Sequence, residues 1–304
     1  MRNAIETRGL EYRAGRGPAS FELKGLELNV PAGSIYGFLG PNGSGKTTTI
    51  RLLMGMTRPR AGEIRVLGHE YPREIPRALA KTGYVPERPH LYGSLRVDEA
   101  MRYHAAFFPR WDDLWAERLR SAFALPVDRR VSRMSKGEVG KLMILLALAQ
   151  RPELLMLDEP TDGLDPMVRR DVLTAVLDYV AESCATVFVS SHLVHELERI
   201  CDWVGVLDHG RLVSELPIQA FKKGVKRLSI VDPPSQHGPP PFVVLSRSVD
   251  ELALGETWIV RDWEEPMRGW FTGVGANVRD VIDMDLEDVF VELLRSSRRE
   301  DKRP

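Results

Sequence analysis

The stretch Gly-Pro-Asn-Gly-Ser-Gly-Lys-Thr at residues 40–47 is the most informative part of this chain of 304 residues. It fits the pattern G-x-x-x-x-G-K-[ST], in which the backbone N–H groups of a glycine-rich loop surround the phosphates of a nucleotide. Residues 34–39 predict a buried strand before the loop. Residues 48–54 predict a helix after it, with its N-terminal dipole pointing at the phosphates. We therefore expect a nucleoside triphosphate to bind here.

Each residue type in the loop has a physical task. The glycines permit tight turns and a close approach of the backbone to an anion. Lys46 can reach the outer phosphates as a compact positive charge, and the hydroxyl of Thr47 suits Mg²⁺, which prefers oxygen ligands. The loop residues that we predict to bind the nucleotide are Gly40, Pro41, Asn42, Gly43, Ser44, Gly45, Lys46, Thr47 and Thr48.

The composition is that of an ordinary globular protein, with 43% hydrophobic residues, 28% charged residues and a formal net charge of −1. This charge gives no reason to expect nucleic acid as a partner. The cysteines, Cys184 and Cys201, form neither a metal-type spacing nor a disulfide framework, which is typical of a reducing compartment. We expect no secretory signal, and the longest apolar run, residues 142–149, is far shorter than the ~20 residues that span a bilayer. Any membrane association is therefore expected to come through a partner.

Up to about residue 220, short β-branched runs alternate with longer helical patterns, which predicts βα units around a largely parallel sheet. Residues 91–150 are helical in pattern and rich in aromatic side chains, which predicts a helical insertion. The proline-rich residues 232–241 predict a loop. The elements expected beyond it are strands at residues 242–245 and 257–260, and a helix from Leu286 to Leu294 with Asp285 as its N-cap.

Polar side chains stand at the ends of two further predicted strands. Asp158 and Glu159 follow the apolar residues 154–157, and buried parallel strands deliver such side chains to the sheet edge where ligands bind. Asp158 is placed to hold Mg²⁺, directly or through water, and Glu159 can polarise an attacking water as a general base. His192 follows the next strand, where its ring can hydrogen-bond the γ-phosphate or the attacking water. The predicted catalytic residues are Glu159, His192 and Lys46.

The order of these motifs resembles that of the ATP-binding subunits of ABC transporters. The resemblance covers roughly residues 5–220. The glycine-rich loop alone is shared by many nucleoside triphosphatases, whereas the full ordered set is specific. That set consists of the loop, Met134-Ser135-Lys136-Gly137-Glu138, the Asp158-Glu159 strand, Gly163-Leu164-Asp165 and His192.

The resemblance implies that residues 134–138 form the signature motif, usually Leu-Ser-Gly-Gly-Gln, which completes the nucleotide site of the opposite subunit in a head-to-tail dimer. Ser135 and Gly137 match it, while Lys136 replaces a glycine and Glu138 replaces the glutamine. Asp165, followed by Pro166, is a natural N-cap for the next helix. The predicted nucleotide-binding residues outside the glycine-rich loop are Tyr12, Ser135, Gly137 and Asp165.

The same resemblance suggests three further roles. Glu87 stands where the family usually has a Mg²⁺-contacting glutamine, and a carboxylate is a better ligand for a hard cation. Tyr12 is the candidate for stacking on adenine, although residues 13–20 form a longer connection than usual. The predicted metal ligands are Thr47, Glu87 and Asp158. The candidates for the surface that receives a transmembrane subunit are Tyr92, Tyr103, Phe107 and Phe108.

The expected fold is α/β: a P-loop NTPase core with a largely parallel sheet, an antiparallel β edge, a helical subdomain at about residues 88–150, and a small α+β C-terminal extension. We expect the ATP-binding domain at residues 1–221 and the extension, with its proline-rich loop, at residues 222–304. The expected cofactors are ATP and Mg²⁺. The expected partners are a second ATP-binding subunit, in a homodimer or a heterodimer, and transmembrane permease subunits. This predicts a cytoplasmic protein, peripheral on the inner face of the cell membrane.

The function predicted from this resemblance is ATP hydrolysis that powers export through separate membrane subunits, by ATP-driven closure of a dimer. One alternative is an ABC-type ATPase without a transport role. Another is a nucleotide-gated regulatory module with weak hydrolysis. The departures at Glu87, Lys136 and Glu138 keep the second alternative open, whereas an intact Glu159 and His192 weigh against it.

Overall fold

The computed structural model describes residues 2–15, 21–232, 238–250 and 255–300. The strands are β1 (Asn3–Ala14), β2 (Phe21–Pro31), β3 (Ile35–Leu39), β4 (Ala61–Val66), β5 (His69–Glu70), β6 (Thr82–Val85), β7 (Leu154–Asp158), β8 (Thr186–Ser191), β9 (Trp203–Asp208), β10 (Arg211–Pro217), β11 (Val225–Val231), β12 (Val243–Asp250), β13 (Gly255–Arg261) and β14 (Asn277–Asp283).

The α-helices are α1 (Lys46–Leu53), α2 (Ile75–Leu79), α3 (Val97–Ala105), α4 (Asp113–Ala122), α5 (Lys136–Leu148), α6 (Pro166–Ser183), α7 (Val194–Leu197), α8 (Ile218–Gly224), α9 (Arg268–Gly273) and α10 (Leu286–Glu300). Short 3₁₀ helices lie at Val131–Arg133 and Glu265–Met267. Within the part of the chain that the structure describes, no helix combines the length and the apolar character needed to cross a membrane.

A six-stranded sheet in the order β10-β9-β3-β8-β7-β6 forms the centre of the fold. The pairs from β9 to β6 are parallel, and only β10 pairs antiparallel with β9. Strands β3, β7 and β8 are buried along their whole length, as their continuous apolar runs predict for parallel strands covered on both faces. Because these strands run in one direction, the loops that follow β3, β7 and β8 meet at one edge, which we call the carboxyl edge.

A second sheet, in the order β2-β1-β4-β5, is antiparallel and supplies the predicted antiparallel β edge. Helices α3, α4 and α5 form the predicted helical insertion. Helix α5 is buried from Leu142 to Leu148, since it packs against α3, α4, α6 and β6. The α/β fold class with a largely parallel sheet is therefore confirmed.

The C-terminal extension is an antiparallel sheet in the order β12-β13-β11-β14 with α9 and α10. Two of its strands and its last helix follow the sequence prediction. Asp285 Oδ1 accepts a hydrogen bond from the backbone N–H of Asp288 at 2.7 Å, so it caps α10 as predicted. Of the predicted proline-rich loop, residues 233–237 lie outside the described residues. The boundary predicted after residue 221 falls within α8.

Helix α10 packs back onto the first part of the chain. Its apolar residues join the core around β8 and β9, and it contacts α7, α8, β9, β10 and β12. Near its end, Arg298 donates hydrogen bonds from Nε and Nη2 to Asp208, at 3.0 and 3.2 Å. Asp208 is 2% exposed and directly precedes the β9–β10 turn. The extension is therefore anchored to the central sheet close to its carboxyl edge.

Candidate functional site

The glycine-rich loop connects β3 to α1 at the carboxyl edge of the central sheet. Gly43 and Gly45 have φ angles of +81° and +116°, which L side chains rarely adopt. Gly45 is also the N-cap of α1, and no side chain caps that helix end. The N-terminal N–H groups of α1 and the positive end of its dipole therefore point toward the loop, as an anion requires.

Gly40 is required for a reason other than approach to an anion. A Cβ at Gly40 would lie 2.5 Å from the backbone oxygen of Leu207 and 2.5 Å from Ser44 Oγ. The turn after β9 also holds the loop, because the Gly210 N–H donates to the Ser44 oxygen at 3.0 Å. The loop thus lies directly against β9, and at Gly40 the missing side chain makes room for protein backbone.

Lys46 is 5% exposed and makes three polar contacts. Its Nζ donates to the carbonyl oxygen of Gly40 at 2.7 Å and to that of Pro41 at 3.3 Å. It also lies 3.1 Å from Glu159 Oε1, in an ion pair whose carboxylate side chain is 10% exposed. The ammonium is therefore held inside the loop, beside the carboxylate predicted to act as the general base.

Asp158, at the end of β7, is 1% exposed. Its Oδ1 accepts hydrogen bonds from Ser190 Oγ at 2.8 Å and from Thr47 Oγ1 at 3.1 Å. Burial raises the pKa of this carboxyl above its ordinary value; the two hydroxyl donors oppose the rise, while the negative charges of Glu87 and Glu159 add to it. Oδ2 is buried and accepts no hydrogen bond from the residues described. One buried carboxylate oxygen is thus left for a cation.

Glu159 follows directly, with a φ of +48°, a conformation that is strained for a residue other than glycine. Its N–H donates to Ser190 Oγ and to the Ser190 carbonyl oxygen, at 3.1 and 3.2 Å, which holds the strained residue in place. Its Oε2 lies 2.9 Å from His192 Nδ1. Strands β7 and β8 therefore deliver a carboxylate and an imidazole in direct contact.

Lys46, Glu159 and His192 line an open cavity of about 420 Å³ at the carboxyl edge, whereas the buried Asp158 does not line it. Two of the residues that line it were not predicted, Phe21 and Asp162. Asp162 directly precedes the Gly163-Leu164-Asp165 motif of the sequence, whereas Phe21, at the start of β2, has no sequence signal. The Phe21 ring lies against the glycine-rich loop, since a Cβ added at Gly45 would be 2.4 Å from Phe21 Cζ. The lining residues are Phe21, Asn42, Gly43, Gly45, Lys46, Thr47, Thr48, Glu87, Glu159, Asp162 and His192.

Seven predicted nucleotide-binding residues lie outside this lining: Gly40, Pro41 and Ser44 of the glycine-rich loop itself, and Tyr12, Ser135, Gly137 and Asp165 elsewhere in the chain. Tyr12 lies in β1 opposite Leu23. Ser135 caps α5, where its Oγ accepts from the Glu138 N–H at 3.2 Å, and Gly137 packs beside Val168 in the same part of the fold. Asp165 Oδ1 caps α6 by accepting hydrogen bonds from the backbone N–H groups of Met167 and Val168, at 3.0 and 3.1 Å.

The substituted signature residues have clear partners. Glu138 Oε2 accepts from the Ser135 N–H at 2.8 Å, which completes a capping box, and Oε1 accepts from Arg129 Nη1 at 2.5 Å. The backbone donor of Ser135 is the largest cause of the lowered pKa of Glu138. Lys136 Nζ lies 3.8 Å from Asp162 Oδ2. Glu138 therefore stabilises the start of α5, and Lys136 faces the loop that lines the cavity.

A glycine-rich loop leading into a helix, beside carboxylates at the edge of a parallel sheet, defines a P-loop nucleoside triphosphatase. Residues 23–162 match the family described as ABC transporter. A Nod factor export ATP-binding protein I of Burkholderia lata is 34% identical over 309 residues, which cover 95% of this chain and 96% of that protein. The chain therefore belongs to the ABC transporter family; it is an ATP-binding subunit and an ATPase.

Other similarities agree with this assignment. The bacitracin transport ATP-binding protein BcrA of Bacillus licheniformis is 36% identical over 200 residues, 65% of each chain, so the chain spans just under two thirds of that relative. A solved ATP-binding subunit of an ABC transporter superposes with a TM-score of 0.64 at 28% identity, covering 72% of this chain and 92% of that one. A dimeric ATP-binding cassette in a post-hydrolysis state, bound to ADP and phosphate, has a TM-score of 0.64 at 20% identity, covers 70% and 98%, and supports the fold.

Proposed function

We propose that this subunit hydrolyses ATP to power export through separate membrane-spanning subunits, as one half of a dimer that ATP closes. The observation that carries the hydrolytic part is the Glu159 carboxylate, held between Lys46 and His192 in the cavity beside the glycine-rich loop. Export is supported by the relatives, which include proteins described as a Nod factor export ATP-binding protein and a bacitracin transport ATP-binding protein.

In this proposal the loop binds the phosphates. The amides of residues 43–47 and the N-terminus of α1 supply donors, and Lys46 turns from the Gly40 and Pro41 carbonyl oxygens toward the outer phosphates. Lys46 then stabilises the negative charge of the transferring phosphoryl group. The Lys46–Glu159 ion pair loosens at the same moment, which frees the carboxylate to accept a proton from the attacking water.

His192 acts beside this carboxylate. Its ring nitrogen Nδ1 holds Glu159 Oε2, which also accepts a hydrogen bond from the His192 backbone N–H at 3.3 Å, while the other oxygen, Oε1, is buried beside Lys46. We propose that the ring orients Glu159 and the attacking water relative to the γ-phosphate. Because Glu159 is backbone-strained and doubly held by Ser190, its carboxylate is already oriented before ATP arrives.

The residues around Asp158 fit Mg²⁺. The unpartnered Asp158 Oδ2 and the Thr47 hydroxyl are hard oxygen donors, and Glu87 lines the same cavity. Among the described residues no group of three or more His, Cys, Asp or Glu is arranged to hold a metal, which agrees with an ion that takes most of its ligands from phosphates and water. When bound, Mg²⁺ would neutralise charge on the β- and γ-phosphate oxygens.

Dimer closure is proposed from the position of the signature motif. Ser135 and Gly137 do not line the cavity of their own chain, so in this proposal they contact the nucleotide of a second ATP-binding subunit. Both a homodimer and a heterodimer satisfy this requirement. Lys136 faces Asp162, which lines the cavity, so the motif and the cavity of one chain are joined by this ion pair.

The membrane partner is proposed to dock on the aromatic surface of the helical insertion. Tyr92 and Phe107 are 62% and 63% exposed, and each packs edge-on against Tyr103, with ring centroids 5.5 and 5.1 Å apart. The fourth candidate, Phe108, is half-buried. Docking here would place the subunit in the cytoplasm, peripheral on the inner face of the membrane.

The test uses the tagged full chain purified from its native membranes. We expect a multi-span membrane protein to copurify, and the double variant Tyr103→Ala/Phe107→Ala to lose it while keeping its ATPase activity in solution. Leu114→Ala is the matched control, because Leu114 is 86% exposed on α4 of the same insertion. Failure of any multi-span protein to copurify would contradict the transport role. Undetectable ATP turnover would favour the nucleotide-gated regulatory module.

A further inference from the structure

A buried polar cluster lies next to the proposed catalytic residues without belonging to them. Thr161 Oγ1 donates to Glu196 Oε2 at 2.7 Å, and both residues are buried, at 3% and 6% exposed. Arg169 Nη1 lies 2.5 Å from the other carboxylate oxygen, Oε1. A buried carboxylate costs free energy even when it is paired, and a buried ion pair is often no more stabilising than apolar residues of the same size. Stability alone therefore does not explain this cluster.

The position of the cluster along the chain indicates that role. Thr161 lies two residues after Glu159, and Glu196 lies four residues after His192. The segments that follow β7 and β8 are thus joined twice, once through Glu159 and His192 at 2.9 Å and once through Thr161 and Glu196 at 2.7 Å. The second bond fixes the relative position of the two segments that carry the first.

The helix that carries Glu196 is short. Helix α7 has four residues, and a helix of that length has few intrahelical hydrogen bonds to hold its orientation. On the other side, Arg169 Nη2 donates to the Leu164 carbonyl oxygen at 3.3 Å, and the Leu164 N–H donates to the Thr161 oxygen at 3.2 Å. Glu196 is therefore the point at which α7, the loop after β7 and the first turns of α6 meet.

We propose that Glu196 and Thr161 are positioning residues that set the separation of Glu159 and His192 during hydrolysis. The inference rests on the proposed roles of Glu159 and His192. Its physical basis is that catalysis depends steeply on geometry, since a displacement of about 1 Å can cost roughly 10²-fold in rate. Neither positioning residue lines the cavity, so their loss acts on turnover rather than on ATP binding.

The test is Thr161→Val, which removes the hydroxyl and keeps the volume of the side chain. We expect kcat to fall roughly 10-fold, with the KM for ATP changed less than about 2-fold, and Thr161→Ser to recover most of the loss. Thr82→Val is the matched control: it also removes a buried threonine hydroxyl, one that donates to the Ala78 oxygen at 2.9 Å, but at the start of β6 and away from the site. We expect it to leave kcat unchanged.

A double-mutant cycle with His192→Ala separates positioning from a purely structural effect. If Thr161 acts through His192, Thr161→Val lowers kcat less than about 2-fold in the His192→Ala background. Equal losses in the two backgrounds, or an unchanged kcat in the single variant, overturn the inference. If Thr161→Val does not fold, Glu196→Asp enters the same cycle, because its shorter side chain keeps the charge and withdraws from Thr161.

The two levels of proposal fail differently. If Glu159→Gln and His192→Ala both keep wild-type turnover, the proposed hydrolytic site is wrong. If both lose turnover while Thr161→Val and His192→Ala lower kcat independently, the site stands and the positioning role is wrong.

Discussion

Replacing Glu159 by Gln removes one negative charge from the centre of the cavity and keeps the size of the side chain. Its two carboxylate oxygens contact different partners, Oε1 at 3.1 Å from Lys46 Nζ and Oε2 at 2.9 Å from His192 Nδ1. A general base contributes roughly 10²- to 10⁴-fold to a rate, and an amide cannot accept the proton. We therefore expect kcat to fall by about that factor, while the loop still binds ATP and drives dimerisation.

The same change should destabilise the ligand-free protein. Removing one partner of a buried ion pair costs about 3–5 kcal/mol when the other charge is left alone. Lys46 keeps its bonds to the carbonyl oxygens of Gly40 and Pro41, and the amide oxygen of the substituted side chain can still accept a hydrogen bond, so we expect a loss of about 1–2 kcal/mol. For a chain of this size this lowers the Tm by about 2–6 °C. Because ATP phosphates replace the lost charge beside Lys46, ATP should raise the Tm of the variant more than that of the wild type.

The measurements are phosphate release at saturating ATP and Mg²⁺, and thermal unfolding with and without ATP. Glu153→Gln is the matched control, because Glu153 pairs with Lys81 and Arg110 on an exposed surface at the other edge of the sheet. Exposed pairs contribute about 0–1 kcal/mol, so the control should keep its turnover and nearly its Tm. Turnover of Glu159→Gln within a factor of two of the wild type would refute the general-base role and favour a nucleotide-gated module.

Three further predictions follow from the contacts around the loop. Gly40→Ala should destabilise the protein by about 2–3 kcal/mol and weaken ATP binding, since its Cβ would overlap the Leu207 oxygen; a loss under about 0.5 kcal/mol in urea unfolding would contradict the close contact. Burial raises the pKa of Asp158, so the folded state favours its protonated form. The resulting contribution of Asp158 to the free energy of unfolding is present below the ordinary pKa of 3.8 and is lost as the pH rises through the folded pKa. The free energy of unfolding of the wild type, measured relative to Asp158→Asn, should therefore fall as the pH rises above the ordinary pKa of 3.8; a rise would show the opposite shift. Arg298→Ala should lower the free energy of unfolding by about 1–2 kcal/mol, because it removes two charge-assisted hydrogen bonds between the half-exposed Arg298 and the buried Asp208. If the α10 amides of the variant are as well protected from hydrogen exchange as those of the wild type, the result would argue against this anchor.

Local patterns were sufficient for the parts of the fold that depend on sequence neighbours. The glycine-rich loop and the side chains at the ends of β7 and β8 could be predicted, because a parallel sheet brings the ends of its buried strands to one edge. The N-cap at Asp285 could be predicted because an aspartate directly precedes a stretch with the apolar periodicity of a helix.

Contacts between distant segments could not be predicted in this way. Gly40 suits an anion site on sequence grounds, but its lack of a side chain is required by the oxygen of Leu207, far along the chain. Phe21 lines the cavity only because β2 folds against the loop. Strand β14 was missed because its edge position leaves most of its side chains exposed, so its sequence carries little apolar alternation.

The contact between Arg298 and Asp208 also has a consequence for the order of events during translation. Asp208 precedes the turn that packs on the glycine-rich loop, yet its partner lies 90 residues later in the chain. At roughly 5–20 residues per second, a ribosome needs roughly 5–18 s to add that length. During this interval the central sheet can form while the Asp208 carboxylate lacks Arg298 and is still exposed to water. A nascent chain halted between the two residues should therefore bind ATP more weakly than the released protein, so that synthesis itself delays the appearance of a competent ATPase.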